Sequence, residues 1–566
     1  MLTMTLMYMI APVVLFLVNL GASNNKKETA FQAGITLVAF AVVTYLVVYF
    51  TLPSRNVINI LMGNGMIGLL YEGIAFMILP TTSWKDDHLG QGFVWSGLVL
   101  VVACAALGFA GEVHSTMSVK PMWKSINKEY SKSAEAPTFK RGETPVALAP
   151  NTVLNRVRKS MSDIPNSQYY DSPDSVQAQY YKGKPVYVVP LNYSGFFAMN
   201  HAKEIPGYFI VDATSQGASP KFVRKPYKYA QSAYFNHDVD RQIYRGNPEW
   251  LTMSNPQLEI DNQGTPYWVQ TVYKSETLSH RPNYKKLHVV VMNAQTGAQK
   301  TYALDNLPSF VDEGITSDAA SDMNKYFGKY KYGFWNWSKT GVIKPTNNGP
   351  EDGVTSVFNR DGSISYFTDF TNPNSKADSA MGYSMVNART GKLTYYSANG
   401  IMDSTGAKEN ADQNYKAQQW KAKMPVLYNI NNRPTWVMTI LDSSHAIRGY
   451  YYLDAQDQAI YGNGTNPTSA LDDFRQALVN NGATAKNTAG TSQKKASGTV
   501  DRAVVVSSKN KVMFTLQGSN TVYTVNTNDY DKANLIRPGD KLSFKAQVVK
   551  GQSVGNVDRF KNNSLK

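Results

Sequence analysis

The stretch Met381–Ser397 reads MGYSMVNARTGKLTYYS, and variants of it recur along the larger part of this chain. Two alternating, tyrosine-rich runs flank NARTG, whose glycine supplies the positive φ that a tight turn needs, so the stretch predicts a β-hairpin. Recurrence of the phrase predicts a duplicated structural unit. The variants are LHVVVMNAQTGAQKTYAL from Leu287, GYFIVDATSQGASPKFV from Gly207 and GYYYLDAQDQAIYG from Gly449.

A second motif, a turn followed by an aromatic strand, precedes each hairpin at similar spacing. YKGKPVYVVPL, NQGTPYWVQTV and NNRPTWVMTIL carry Pro185, Pro266 and Pro434, whereas NRDGSISYFTDF replaces the proline and places Gly362 at similar spacing. Proline donates nothing to a sheet ladder but is tolerated at the first residue of a strand. An aromatic residue recurs at the equivalent place in every copy, where it is either a core anchor or a ligand contact: Tyr187, Trp268, Tyr366 and Trp436.

Helical patterns accompany the strands. APNTVLNRVRKSM places Val153, Leu154 and Val157 on one helix face, and NPTSALDDFRQALVNNG starts from a Thr468 or Ser469 cap. The fold class predicted for residues 146–482 is therefore α+β, with tandem repeats built on antiparallel sheets.

The repeat resembles a known family. A helix, a strand of the form G-x-P-x-Y/W-V and a closing strand that ends in D/N-A-x-T-G are similar to PepSY modules, and the motif is carried best by Asn293, Ala294, Thr296, Gly297, Asn387, Ala388, Thr390 and Gly391. The copies DATSQGA and DAQDQA lack the Thr-Gly pair, which leaves their turn type open. The resemblance implies binding or inhibition of peptides and proteins outside the cytoplasm, without catalysis. The whole layout is similar to uncharacterised membrane-anchored proteins of Gram-positive bacteria and their large phages.

Residues 1–113 predict a transmembrane region of four helices. The apolar runs Leu2–Leu20, Ala33–Leu52, Val57–Leu79 and Gly92–Gly111 each have about the 20 residues needed to cross a bilayer core. Flanking lysines slightly favour a cytoplasmic soluble part. The single cysteine, Cys104, lies in the fourth run, so the soluble part has no thiol. This composition and the PepSY resemblance favour a soluble part outside the cytoplasm.

Glu72 and Asn64 are polar residues inside the third run. A carboxylate in a bilayer is costly, so Glu72 is a candidate for a transport or relay role. The alternative is a protonated Glu72 bonded to Asn64 or Asn59. GNGMIG in the same run matches a dinucleotide fingerprint in form only, because it follows no strand, and close helix packing explains its glycines better.

Residues 114–145 form a predicted juxtamembrane linker, or a short helix on the membrane surface with Trp123 as an anchor. A second predicted linker, residues 483–498, leads to a β-barrel in residues 499–566. Its five short strands resemble an OB-fold, and basic OB barrels bind single strands on aromatic side chains. The candidate residues are Phe514, Tyr523 and Phe544. The alternative is a small β module that docks against protein.

No motif for catalysis or for a metal or other cofactor occurs. The seven histidines show no metal-binding spacing. His237 lies near Asp238 and Asp240, which is either an acid/base or metal cluster or a solvated helix start after an Asn236 cap. The sequence predicts a non-enzyme.

The function predicted is therefore that of a multi-pass membrane-anchored binding or scaffold protein whose repeats recognise protein, peptide or envelope polymer. The alternative is a membrane tether for nucleic acid through the basic barrel. A channel or transporter that uses Glu72 is a third hypothesis. A net charge of +15 favours an anionic partner such as a bilayer, a wall polymer or a nucleic acid, and does not distinguish among them.

Overall fold

Apolar helices open the chain in the computed structural model. They are α1 Leu2–Tyr8, α2 Ile10–Ala22, α3 Lys26–Thr51 and α4 Asp87–Met117. The structure describes residues 1–23, 25–55, 70, 73–74, 76–77, 87–131, 148–171, 176–275, 281–346, 353–359, 361–373, 379–430, 433–480, 491–506, 510–549 and 554–565.

The first predicted span is not one continuous helix. Met9 separates α1 from α2, and Pro12 lies in the first turn of α2. Proline has no N–H to donate to the carbonyl four residues earlier, and its ring crowds that carbonyl, so a helix through Tyr8 would be broken here. Neither piece reaches the length of about 20 residues that crosses a bilayer core. The predicted third span, Val57–Leu79, lies almost entirely outside the described residues.

Two helices of the described part are long and apolar enough to cross a membrane: Lys26–Thr51 with mean hydropathy 2.2 and Gln91–Met117 with mean hydropathy 2.3. Large apolar side chains point outwards from them, including Phe31, Phe50 and Phe109, which are 70%, 72% and 73% exposed. Exposed apolar surface of this kind marks a partner or a lipid environment. The described residues thus show two candidate membrane helices where the sequence predicts four.

The segment after α4 packs against the repeats as far as Ser131, so this part of the predicted linker is folded. It forms α5 Val119–Ser125 and β1 Lys128–Ser131. Trp123 Nε1 donates to the carbonyl of Phe327 at 2.8 Å. β1 pairs in parallel with residues 393–396. The reason is that its apolar side chains face the protein core: Val119, Met122 and Ile126 are buried.

Four units of one topology follow, each a helix and then an antiparallel meander of four strands. Unit 1 contains α6 Pro150–Ser160, β2 Tyr170–Asp171, β3 Gln177–Tyr181, β4 Lys184–Val189, β5 Asn192–Tyr193, α7 Phe196–Ala202, β6 Ile205–Asp212 and β7 Lys221–Tyr227, with the meander β3-β4-β6-β7. Unit 2 contains α8 Val239–Gly246, β8 Leu251–Thr252, β9 Gln257–Ile260, β10 Pro266–Tyr273, β11 His288–Asn293 and β12 Gln299–Ala303, with the meander β9-β10-β11-β12.

The other two units repeat this order, which confirms the predicted repetition and the antiparallel sheets. Unit 3 contains α9 Ser317–Lys329, β13 Lys344–Pro345, β14 Thr355–Phe358, β15 Ile364–Thr371, β16 Ser379–Asn387 and β17 Leu393–Met402, with the meander β14-β15-β16-β17. Unit 4 contains α10 Ser404–Asn414, β18 Lys421–Ile430, β19 Arg433–Leu441, β20 Ile447–Asp454 and β21 Tyr461–Gly464, and α11 Pro467–Asn480 follows it.

The recurring phrase forms the same turn in all four units. Its first residue accepts hydrogen bonds through Oδ1 from the N–H groups two and three residues ahead, at 2.8–3.1 Å, in Asp212, Asn293, Asn387 and Asp454. Gly297 and Gly391 take φ of 75° and 68° at the fifth position, whereas Gln216 and Gln458 do not adopt positive φ. The copies without Thr-Gly therefore keep this side-chain turn and differ only after it.

The buried alanine of the phrase explains why the two motifs occur together. Its N–H donates to a carbonyl at the start of the second strand at 2.8–3.1 Å, and its carbonyl accepts from an N–H of the segment that leads into the helix of the same unit. The acceptors are Pro185, Pro266, Ile364 and Pro434, and the alanines are Ala213, Ala294, Ala388 and Ala455. Proline suits this place because only the carbonyl is used. Ile364, and not Gly362, is therefore the residue that replaces the proline in unit 3.

Replacing Asn387 with alanine is expected to lower the melting temperature of the protein. The change removes the acceptor for the N–H groups of Arg389 and Thr390, and each lost hydrogen bond costs about 0.5–1.5 kcal/mol. Asn387→Asp is the matched control, because aspartate makes the same turn in units 1 and 4. Differential scanning calorimetry checks both variants, and equal destabilisation by the two would contradict the assigned role of Oδ1.

The central strand of unit 3 is buried on both faces. All eight residues of β15 are buried. Tyr366 belongs to the core that units 1 to 3 share with α5, and the next residue, Phe367, belongs to the core shared with unit 4. Successive strand residues point to opposite faces, so unit 3 is covered on both sides.

The chain ends in a closed barrel of five strands, which confirms the predicted β-barrel. Its strands are β22 Thr491–Val506, β23 Lys511–Leu516, β24 Val522–Asn526, β25 Lys541–Val549 and β26 Val554–Asn562, in the order β22-β23-β24-β26-β25. β24 and β26 are parallel. Residues 491–498, predicted as linker, pair with β25 as strand. Residues 483–490 lie outside the described part.

Candidate functional site

The four equivalent aromatic residues of the repeats lie inside the cores: Tyr187, Trp268, Tyr366 and Trp436 are at most 2% exposed. Trp268 Nε1 donates to the carbonyl of Tyr229 at 2.7 Å, and Trp436 Nε1 donates to that of Met402 at 3.0 Å. Each acceptor precedes the helix of its own unit. These side chains are core anchors, and the alternative that they contact a ligand is wrong because burial leaves them no surface to offer.

The three candidate residues of the barrel are also buried and pack on one another. Phe514 and Tyr523 have ring centroids 5.7 Å apart, and Phe544 lies 5.3 Å and 4.8 Å from these two rings. A base stacks on an exposed ring face. These rings therefore fill the barrel interior and form no stacking platform.

Glu72 and Asn64 lie outside the described residues. His237 falls in a single 3₁₀ turn before α8, and the N-cap is Asp238, whose Oδ1 accepts from Arg241 N at 2.9 Å. The helix start proposed as the alternative to a catalytic cluster is thus present. Its predicted cap, Asn236, is wrong, since Asn236 lies within the 3₁₀ turn and the α-helix begins only after Asp238.

A cavity of about 570 Å³ lies where the end of α3 meets unit 2. Three hydrogen bonds hold this end of α3 in place: Tyr244 donates its hydroxyl to the carbonyl of Pro53 at 2.7 Å, Ser54 donates to that of Glu249 at 3.0 Å, and Arg55 N donates to that of Pro248 at 2.6 Å. Residues 49–52 form one wall, and residues 250–255 with α8 form the other. The candidate membrane helix and the repeat therefore build this cavity together.

The cavity carries acidic groups in a partly apolar setting. Asp238 forms an ion pair with Arg241 at 3.1 Å, and the Arg241 guanidinium lies 4.1 Å from the centroid of the Tyr49 ring. Asp240 accepts from Gln270 Nε2 at 3.3 Å. Burial, and then the charge of Asp238, raises the pKa of Asp240 to about 6. An opposite charge brought to Asp240 would relieve both effects.

This arrangement suits a cationic side chain or amine better than a metal ion. Asp240 and Asp318 line the same cavity as Asp238 and Arg241, which pair with each other. The lining therefore carries more carboxylates than basic groups, which favours a bound cation. Within the described ranges, no group of three or more His, Cys, Asp or Glu side chains is placed to hold a metal. Trp250 adds an aromatic wall, against which cations pack favourably.

A second polar cluster joins units 1, 2 and 3 in the interior. Glu259 is 0% exposed and accepts from the N–H groups of Asp312 and Glu313 at 2.7 and 3.1 Å. Asp312 in turn accepts from Tyr180 N of unit 1 at 2.6 Å. Arg389, from the turn of unit 3, donates to carbonyls of the same connecting segment. The cluster positions the units relative to one another.

Burial, and then the charge of Asp312, raises the pKa of Glu259. Burial likewise raises the pKa of Asp312, although the hydrogen bond from Tyr180 N and the charge of Arg389 lower it in part. Desolvation disfavours the charged form of a carboxyl group, so this cluster holds a proton that an exposed glutamate would release.

Sequence reasoning found part of the cavity and missed the rest. Asp238 and Asp240 were candidates because they lie beside His237. Tyr49, Trp250 and Gln270 carry no local motif and meet the two aspartates only through folding. For residues 49–52, which form the α3 side of the cavity, the sequence offers one signal: hydropathy falls there, at the end of the second apolar run.

Comparison with known proteins shows little. No family model and no curated protein matches this chain. Among solved structures, the chain is similar to the Bacillus megaterium YpeB C-terminal domain, at 12% identity, a TM-score of 0.11 and coverage of 44% of this chain and 96% of that one. It is also similar to the polysaccharide lyase Uly1, at 10% identity, a TM-score of 0.14 and coverage of 69% and 81%. TM-scores this low carry no argument about fold or activity.

Proposed function

We propose that this chain is a membrane-anchored, non-enzymatic binding or scaffold protein whose repeats recognise a protein or peptide through a cationic group. The observation that carries the proposal is the cavity at the end of α3, because a candidate membrane helix and a repeat unit each supply a wall. An envelope polymer with amines would satisfy the same chemistry. PepSY-like units used for binding fit this role.

The proposal includes finer points. The anchor includes α3 and α4, and the soluble part lies outside the cytoplasm, in keeping with its thiol-free composition. The strand order of the barrel, including the parallel pair β24–β26, supports an OB-fold. The tether for nucleic acid remains the second hypothesis, but the aromatic residues invoked for it lie in the barrel core. A transport role for Glu72 stands third.

Binding of a lysine-rich peptide to the purified full-length chain tests the proposal. Tetralysine is expected to bind more tightly than tetraglutamate, and Asp240→Asn is expected to weaken tetralysine binding about tenfold, since a charge-assisted contact is lost. Binding should also weaken as the pH falls through about 6, where Asp240 takes up a proton and loses its charge. Isothermal titration calorimetry measures all three effects.

Asp163→Asn, a change of equal charge at an exposed position, is the matched control and should bind like the wild type. Equal binding of the two peptides, or an equal loss in both variants, would overturn the assignment of the cavity as the recognition site.

A further inference from the structure

An exposed aromatic loop connects α9 to β13. Tyr332, Phe334, Trp335 and Trp337 are 52%, 48%, 60% and 82% exposed. Four large aromatic side chains exposed within six residues form a patch that soluble surfaces rarely carry, and such patches mark interaction sites. Tyrosine and tryptophan are also the residues enriched where a membrane meets water.

Hydrogen bonds within the loop hold it in shape. Asn336 Nδ2 donates to the carbonyl of Thr340 at 2.9 Å, and Lys339 N donates to that of Asn336 at 3.0 Å. The loop returns to α9 where Ile343 N donates to the carbonyl of Gly328 at 3.1 Å. A Cβ at Gly328 would lie 2.3 Å from the Ile343 oxygen, so glycine is required for this close return. The exposed rings therefore belong to a preformed surface.

Behind the loop is a cavity of about 620 Å³ with an apolar interior and a basic rim. The interior is lined by Tyr326, Tyr330, Phe334, Val342, Ile343 and Pro345. The rim carries Lys325, Lys329, Lys339 and Lys344. Asp322 is the acid beside it and pairs with Lys325 at 3.3 Å. The other three lysines are exposed, and no Asp or Glu is among the described residues that line the cavity.

The cavity lies close to where the chain leaves its candidate membrane helix. α4 ends at Met117, and Lys120 packs beside Gly333 of the loop, 3.6 Å from where a Cβ there would lie. Trp123 ties α5 to the end of α9 through its bond to Phe327. Lys120, which contacts the loop, follows the end of α4 by only three residues. In an anchored chain the loop therefore meets the head-group layer.

We infer that this cavity is a binding site for an anionic phospholipid of the bilayer in which the chain is anchored; the inference rests on the anchoring proposed above. An acyl chain enters the apolar interior, the phosphate meets Lys329, Lys339 and Lys344, and Trp335 and Trp337 lie at the interface. A soluble phosphate compound would use only the rim and leave the apolar interior in water. An acidic protein would not explain the rings next to α4.

Native mass spectrometry of the full chain in detergent, titrated with dioleoyl phosphatidylglycerol or dioleoyl phosphatidylcholine, tests the site. The wild type is expected to prefer phosphatidylglycerol, and the triple variant K329A/K339A/K344A to lose about a hundredfold of that affinity. K494A/K495A/K541A removes the same charge from exposed positions of the barrel and should bind like the wild type.

Three results would overturn the inference: equal binding of the two lipids, equal loss in both triple variants, or displacement of the lipid by glycerol 1-phosphate at comparable concentration. Alkaline extraction of cell membranes separates this from the anchoring. Protein that stays in the pellet without a lipid preference refutes the site alone. Protein released from the pellet that keeps its lipid preference refutes the anchoring, and with it the bilayer as the source of the lipid.

Discussion

Trp268→Ala is expected to destabilise unit 2 by about 3–5 kcal/mol, the cost of removing a large aromatic side chain from a packed core. Trp268 is 1% exposed, and its Nε1 donates to the carbonyl of Tyr229. The change therefore opens a cavity and also removes the bond that ties the second strand to Tyr229, in the segment that leads to α8. Trp268→Phe keeps much of the packing and is expected to cost less.

Amide hydrogen exchange of β10 and β11 measures this effect, because a chain with several units does not unfold in one two-state step. Trp337→Ala is the control: its side chain is 82% exposed, and surface changes of this kind stay within about 0.5 kcal/mol. If the two variants lost equal protection in β10 and β11, the assignment of Trp268 as a core anchor would be wrong.

Glu259→Ala is expected to destabilise the junction of units 1 to 3 by about 2–6 kcal/mol, since two N–H groups lose their buried acceptor and each costs about 1–3 kcal/mol. These are the N–H groups of Asp312 and Glu313. The melting temperature of the full chain in detergent measures the loss. Glu409→Ala, at an exposed helix position, should change it little.

The same group makes stability depend on pH. The folded state raises the pKa of Glu259 by burial and by the charge of Asp312, so the native protein keeps a proton that the unfolded chain releases. Stability from this site is therefore complete below the ordinary glutamate pKa and is lost as the pH rises through the raised value. Glu259→Gln, which does not titrate, is expected to flatten this dependence. An unchanged pH profile in that variant would contradict the assignment.

Some of this architecture is readable from residues next to one another. The turn of the recurring phrase is an Asx turn, which needs only a side-chain oxygen and two nearby N–H groups. Asn387 and its three equivalents therefore predict it from sequence. The count of units, their antiparallel strands and the closing barrel follow from such local patterns. The alanine at the second position of each turn is the residue whose role local reasoning missed, because its partners lie on other elements.

Local patterns misled where an element is covered by a distant one. The strand β15 looks like one with an exposed aromatic face, and both faces are buried because unit 4 packs on the far side. The segment around Trp123 looks like a membrane-surface helix, and its indole instead bonds Phe327. In both cases an amphipathic pattern shows that one face of the element is covered. It does not show which other element, or a membrane, covers that face.

The sequence by itself determined the repeated unit, its turns, the barrel and the presence of apolar helices, since each shows as a pattern among residues near one another in the chain. Only the tertiary structure decided that the recurring aromatic residues are core anchors, that α3 and unit 2 enclose an acidic cavity, and that a basic aromatic loop lies beside the end of α4. The physical reason is that hydrophobic burial is non-directional, so a pattern that demands burial does not name its partner.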